Sequence, residues 1–268
     1  MKLKIVTYNI HKGVSSFGNR PRIQALKAAI GSLDADILFM QEVQGRHDLL
    51  ALRYAGSWPM QGQHEFLAGD NQHAAYGLNA AYDHGHHGNA LLSNFPIIHS
   101  RNQDVSDHAY EARGILHCVV RVQEVDVHCY VVHLGLFAGS RKRQTDALVD
   151  AVAGSAPDNA PIIIAGDFND WENKLSQTLF DRLHVCEVSD TNLSRHGFGT
   201  YLRRLSGRGP KIQPARTFPA AMPVLKLDRI YVRGFSVESA QVLHGVRWAQ
   251  LSDHAPLIAT LKLSACVA

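Results

Sequence analysis

Apolar residues in this chain fall into short unbroken runs that stop on a polar residue, often followed by glycine. Leu3–Ile10, Ala35–Met40, Ala90–Ser93 and Ile162–Ala165 have this form, which predicts strands buried on both faces. Gly114–Val122 and Val125–His133, parted by Gln123-Glu124, predict a hairpin, and Leu257–Leu263 predicts a last strand. Val224–Val232 reads as a strand with Asp228 embedded in it. Between these runs the spacing changes. Ile23, Leu26, Ile30 and Leu33, after Pro21, give one apolar helix face, and Ser140–Val152 gives another with Ser140 as its N-cap. His47–Tyr54 predicts a short helix, whereas the rest of 45–88 predicts an irregular passage with two short strand-like pieces. Buried strands alternating with helices make an α/β protein, and no internal repeat is visible.

The 268 residues carry 46% hydrophobic and 19% charged side chains, the balance of a soluble globular protein, which argues against a disordered or membrane-embedded one. No linker or low-complexity tract divides them, so one domain, 1–268, is expected. Cys118, Cys129, Cys186 and Cys266 are dispersed and read as reduced thiols. The start, Met1–Asn9, lacks the apolar stretch of a signal peptide and no later run approaches a transmembrane span, so a cytoplasmic protein is expected. A net charge of +3 suits anionic partners. From Thr191 to Lys226 seven basic residues occur without an acid, predicting a long basic surface loop.

The candidate chemistry stands where the apolar runs end: Asn9, Glu42, His133, Asp167 with Asn169, and Asp253 with His254, joined by Asp228. Polar groups just beyond buried strands are where α/β proteins hold ligands. Asp167-Phe168-Asn169-Asp170 alone could equally be a capped turn, and Arg113 a structural salt bridge. Asn9, Glu42 and Asp253 supply an amide and two carboxylates, the oxygen donors that Mg2+ takes. The histidines of 83–89 read as a solvated loop rather than a metal site.

The ordered set Thr7-Tyr8-Asn9-Ile10, Gln41-Glu42-Val43, His87-Gly88-Asn89-Ala90, His133-Leu134, Gly166-Asp167-Phe168-Asn169, Leu227-Asp228-Arg229-Ile230 and Ser252-Asp253-His254 resembles the endonuclease/exonuclease/phosphatase superfamily. The resemblance implies a four-layer α/β sandwich, two face-to-face mixed β-sheets flanked by helices, with the site at one edge. It implies metal ligation by Glu42 with Asn9 and Asp253, to Mg2+ with Mn2+ as a substitute. Asp167 would orient or deprotonate the attacking water, and Asn169 would donate to phosphate oxygens. Asp228 would fix the His254 imidazole, and His133 would be an acid for the leaving oxygen. Arg113 and Asn89 fall where substrate contacts are expected. His11 and His133 stand where abasic-site endonucleases carry an acid and a tyrosine, so the two-histidine branch is the better match. The implied activity is metal-dependent phosphodiester hydrolysis, with nucleic acid as the leading substrate. A phospholipid or sphingomyelin-like head group is the alternative, and a catalytically silent binding module is a third reading. No protein partner is inferable.

Overall fold

In the computed structural model, residues 1–15, 20–108, 110–189 and 215–264 are described. One sheet has the order β11 (Phe235–Val242), β12 (Leu257–Leu263), β1 (Lys2–Asn9), β2 (Ile37–His47), β4 (Gly85–Ser93) and β3 (His73–Tyr82). The other has the order β5 (Ile97–Asp104), β6 (Gly114–Val122), β7 (Val125–His133), β8 (Ile162–Asp167), β10 (Asp228–Arg233) and β9 (Cys186–Glu187). Both are mixed, since β1 pairs parallel with β2 and β7 parallel with β8 while their other neighbours run antiparallel.

The unbroken apolar runs are explained by two-sided burial. Leu3, Ile5, Ile37, Phe39 and Leu91 face Leu116, Val131, Ile163 and Ile230 between the sheets. The alternate positions, Val6, Tyr8, Leu38 and Met40, pack outward on α1 (Ile23–Gly31) and α3 (Gln63–Ala68). On the far side Tyr130, Val132, Ile162 and Ile164 pack on α4 (Ala138–Ser155) and α5 (Leu175–Leu183). Helix, sheet, sheet and helix make the four layers. The remaining helices, α2 (Asp48–Arg53) and α6 (Val246–Ala249), are short, and none among the described residues is long and apolar enough to cross a membrane. Cys118 and Cys129 are buried thiols outside any disulfide, and Cys186 is half-buried.

Several expectations need correction. The passage 84–89 is not a solvated loop, because β4 begins at Gly85 and pairs with both β2 and β3. Gly88 makes that possible: a Cβ there would sit 1.8 Å from the Gly77 carbonyl oxygen. Ser140 is not an N-cap. The helix starts at Ala138 after Phe137, and Ser140 Oγ donates to Asp107 Oδ2 at 2.7 Å from within it. β2 continues to His47 instead of stopping at Met40, and β10 begins at Asp228 rather than enclosing it. Asp170 turns away from the strand-end cluster and caps α5, its carboxylate accepting from the backbone N–H groups of Lys174 and Leu175 at 3.0 and 2.9 Å. Of the expected basic loop, 191–214 lies outside the described residues.

Behind the strand ends, Arg229 is fully buried and tied to Glu187, Nη1 to Oε2 at 3.0 Å, with both side chains at 0% exposure. It also donates to Asn173 Oδ1 at 2.9 Å, to the Asp170 carbonyl at 2.6 Å and to the Lys226 carbonyl at 3.2 Å. One guanidinium therefore fixes β10, β9 and the exit of β8 together. Removing one member of such a pair leaves the other charge buried and uncompensated. Glu187→Ala should lower unfolding free energy by about 3–5 kcal/mol, read from urea denaturation. A loss below ~1 kcal/mol, the level of an exposed pair, would show that the hub does not carry this weight.

Candidate active site

Strand register sets the site. His133 of β7 lies beside Asp167 of β8, and Asp167 lies opposite Asp228 of β10, so three functional side chains form one row across three adjacent strand ends. Gly166 allows the first of these pairings: its φ is +155°, and a Cβ would meet the Val132 carbonyl oxygen at 1.9 Å. In the other sheet Asn9 is level with Gln41, so Glu42 stands one residue further along β2. The β2–β4 register slips between Met40 and Val43, and Glu42 has φ +54°. A bulge at this point re-aims the carboxylate toward the other sheet's strand ends. Asn169, His11 and Lys12 share the left-handed conformation, with φ of 49°, 46° and 57°.

The loop before β12 closes the ring. Ser252 Oγ donates to the Asn9 carbonyl at 2.7 Å and accepts from the His254 backbone N–H at 3.2 Å. That places His254 Nδ1 2.8 Å from Asp228 Oδ2 and its Nε2 3.7 Å from Asp167 Oδ2. Burial opposes the imidazolium, yet the Asp228 and Asp167 charges overcome it and hold His254 up at about 10. His254 is therefore a cation near neutrality, with Asp228 fixing which nitrogen points at Asp167. Burial raises Asp167 to about 6, the His254 cation holding it down and the Asp228 charge pushing it further up. The second histidine behaves oppositely. His133 Nε2 lies 3.6 Å from Asp167 Oδ2, and burial, then the Arg113 and His254 cations, keep its pKa far below the ordinary imidazole value. The free site thus holds one charged and one neutral imidazole on the same carboxylate.

Asn9 joins the two sheets, its Nδ2 donating to Asp167 Oδ2 at 3.3 Å and Glu42 Oε1 at 3.4 Å while Oδ1 accepts from the His11 backbone. Asn169 donates its amide to the Leu134 carbonyl at 2.9 Å and its backbone N–H to Asp167 Oδ1 at 3.0 Å. Asp253 receives His11 Nδ1 at 3.2 Å; burial pushes its carboxyl up, but the His11 bond and the His254 charge more than offset this. Asn89 sits in β4. It is fully buried, and its amide donates to the Gly114 and Val131 carbonyls at 2.9 and 3.3 Å, stitching one sheet to the other. Arg113 stays at the edge, donating Nε to the Leu134 carbonyl and Nη1 to that of Ala112.

Two neighbours had no role assigned from sequence, Lys12 and the His87 of the ordered motif set. Lys12 Nζ stands 3.9 Å from Glu42 Oε2, a basic residue in the same strand exit as Asn9. His87, lowered to about 4 by burial and by the nearby Lys12 cation, is neutral and close enough to feel both Glu42 and Arg113. The repeated strand-then-glycine exit was the signal for Lys12, whereas reading 83–89 as a loop left His87 without a role.

A hard divalent cation fits these residues. Glu42, Asp167, Asp228 and Asp253 bring four carboxylates to one edge, where Lys12, His11, His133 and His254 stand within 4 Å of a carboxylate oxygen. Asp228 Oδ1 is buried with no hydrogen-bond partner among the described residues. Ligand atoms of Asp167, Asp228 and His254 lie within 4.8 Å of one another, but the proton and hydrogen bond on His254 leave the carboxylates as donors. An all-oxygen set of this kind suits Mg2+ or its analogues.

The sequence pattern of the Endonuclease/Exonuclease/phosphatase family matches residues 6–254. The Escherichia coli (strain K12) "Uncharacterized protein YbhP" is 40% identical over 264 residues, covering 97% of this chain and 96% of that protein. Among solved structures, an endonuclease/exonuclease/phosphatase from Beutenbergia cavernae superposes with a TM-score of 0.71 at 20% identity, covering 100% of this chain and 73% of that one. A mannosyl-6-phosphatase from Bacteroides thetaiotaomicron gives a TM-score of 0.69 at 16% identity, covering 97% and 100%. With strand order, edge site and sequence pattern in agreement, the chain belongs to the endonuclease/exonuclease/phosphatase family.

Proposed function

We propose that the protein is a Mg2+-dependent phosphodiester hydrolase, and that Asn9, Glu42, His133, Asp167, Asn169, Asp228, Asp253 and His254 carry the reaction. The observation that supports this most is the shared Asp167 carboxylate, flanked by a cationic His254 and a neutral His133. Glu42 and Asp253, with Asn9, are assigned as metal holders; Asn9 would ligate through Oδ1, whose second lone pair the His11 N–H leaves open. The bound cation supplies Lewis acidity toward a phosphoryl oxygen. Asp167 orients the attacking water and takes its proton. The imidazolium of His254 meets the negative charge that builds on the phosphoryl oxygens, and Asp228 holds that ring in place. His133, neutral in the free site, takes a proton from solvent when the anionic substrate arrives and passes it to the leaving oxygen, and Asp167 returns the water's proton to solvent afterwards. The intact Asp228–His254 pair argues against the silent binding module.

Nucleic acid and a lipid head group are the two substrate readings. The first rests on the basic residues of 191–226, most of which lie outside the described ones. A panel of bis(p-nitrophenyl) phosphate, plasmid DNA, RNA, phospholipid vesicles and mannose 6-phosphate, with Mg2+ or EDTA, separates these and tests for monoesterase action. Absence of EDTA-sensitive hydrolysis across the whole panel would refute the assignment.

Two variants probe the roles. Glu42→Ala should weaken metal binding by more than about a hundredfold, beyond the usual cost of losing an outer-sphere partner, as measured by the Mg2+ dependence of thermal melting. An unchanged titration removes Glu42 from the metal site. His133→Ala should cost ~10²–10⁴-fold on a dialkyl phosphate, whose leaving group needs a proton, and far less on bis(p-nitrophenyl) phosphate. Equal losses on both would make His133 a positioning residue.

A further inference from the structure

The mouth of the site is rimmed by apolar side chains that the sandwich core leaves exposed. Tyr110 is 100% exposed, Met222 73%, Phe137 66%, Leu136 56%, Val224 52% and Trp171 41%. Isolated exposed apolar residues need no explanation, but these are not isolated. They lie on the segments that start β6, leave β7 after His133, leave β8 after Asp167, and lead to Asp228. Contacts make the segments one rim. The His108 ring, beside Tyr110, lies 6.0 Å from that of Phe137. Arg141 donates to the Leu136 carbonyl and stacks its guanidinium 4.6 Å from the Trp171 ring. Arg229 bonds the carbonyls of Asp170 and Lys226, joining the Trp171 turn to the segment with Met222 and Val224.

The charges without an ion-pair partner around this rim are mostly positive, the exposed Asp104 opposite Gly114 being an exception. Asp107 is held by Arg143 and Glu172 by Lys174, while Glu111 is buried against Gln144. Lys142, Arg216 and Lys226 have no carboxylate partner among the described residues, and Arg113 bonds only carbonyls. Apolar tips among cationic residues are the chemistry of an anionic lipid surface: acyl chains receive the tips, and head groups receive the cations. A single-stranded nucleic acid would use flat rings for base stacking. Half of this rim, Leu136, Met222 and Val224, is aliphatic and offers none.

We propose that the mouth docks on an anionic membrane surface and that the phosphoester entering the site is a lipid head group, the second part resting on the phosphoesterase reading above. Cosedimentation of the full chain, without added metal, with vesicles of phosphatidylglycerol and phosphatidylcholine tests docking apart from catalysis. The wild-type protein should sediment with these vesicles at low salt, and Trp171 emission should shift to the blue. Leu136→Ser/Phe137→Ser, on one side of the mouth, and Met222→Ser/Val224→Ser, on the other, should each reduce partitioning by about tenfold or more with melting temperature unchanged. Wild-type protein that stays in the supernatant overturns the proposal. So does unchanged sedimentation of both double variants, which would leave charge alone as the attraction. Tight binding of a single-stranded oligonucleotide with no vesicle binding makes the rim a nucleic-acid platform instead. Hydrolysis of bis(p-nitrophenyl) phosphate reports separately on the reaction, so loss of either idea is seen without the other.

Discussion

Asp167 and Asp228 are buried opposite each other on neighbouring strands, an arrangement that two like charges oppose. The His254 imidazolium resolves it by facing both carboxylates at once. Breaking such a buried arrangement by removing one partner costs several kcal/mol, whereas the same charges in water would cost almost nothing. The price is met by architecture: His254 comes from the loop before the last strand, pinned through Ser252 to the backbone of the first. Both sheets must therefore be in place for the charges to balance, and the polar edge is as much a part of the fold as the apolar core.

The left-handed residues Glu42, Asn169, His11 and Lys12 gather at this edge. Backbone in that conformation is costly for side chains other than glycine, and it persists only where surrounding structure over-determines it. Here the ladders on either side do so. β2 resumes its pairing at Val43 after skipping two residues, which frees Glu42 from the pleat without ending the strand. The loops beyond are under no such constraint. Chemistry fixed by strand ends and access shaped by loops are separable layers, as in many α/β scaffolds.

Much of this was legible in the sequence because two-sided burial writes itself as an unbroken apolar run. The ends of the β6–β7 hairpin and of β12 were read to the residue. The ordered polar exits pointed to Asn9, Glu42, His133, Asp167, Asp228 and His254, which the fold brings to one edge. What escaped has physical causes. β11 is largely exposed, so its polar residues carry no apolar signal. β3 and α3 were lost in a stretch whose glycines resemble turns, although Gly88 serves close strand contact. Asn89 carried the right motif and yet points into the inter-sheet layer, since alternation along a strand decides the face and a short motif does not.

Strand order also has a consequence in time. The sheet that runs from β5 to β10 is made from one continuous stretch of chain, residues 97–233, whereas the other pairs the first long strand with the last. During synthesis the continuous sheet can close early, while β1 waits for β12 and for the loss of chain entropy that so distant a pairing entails. Asp253 and His254 emerge just before β12. The growing chain therefore holds Asp167 and Asp228 without the His254 counter-ion until β12 docks beside β1.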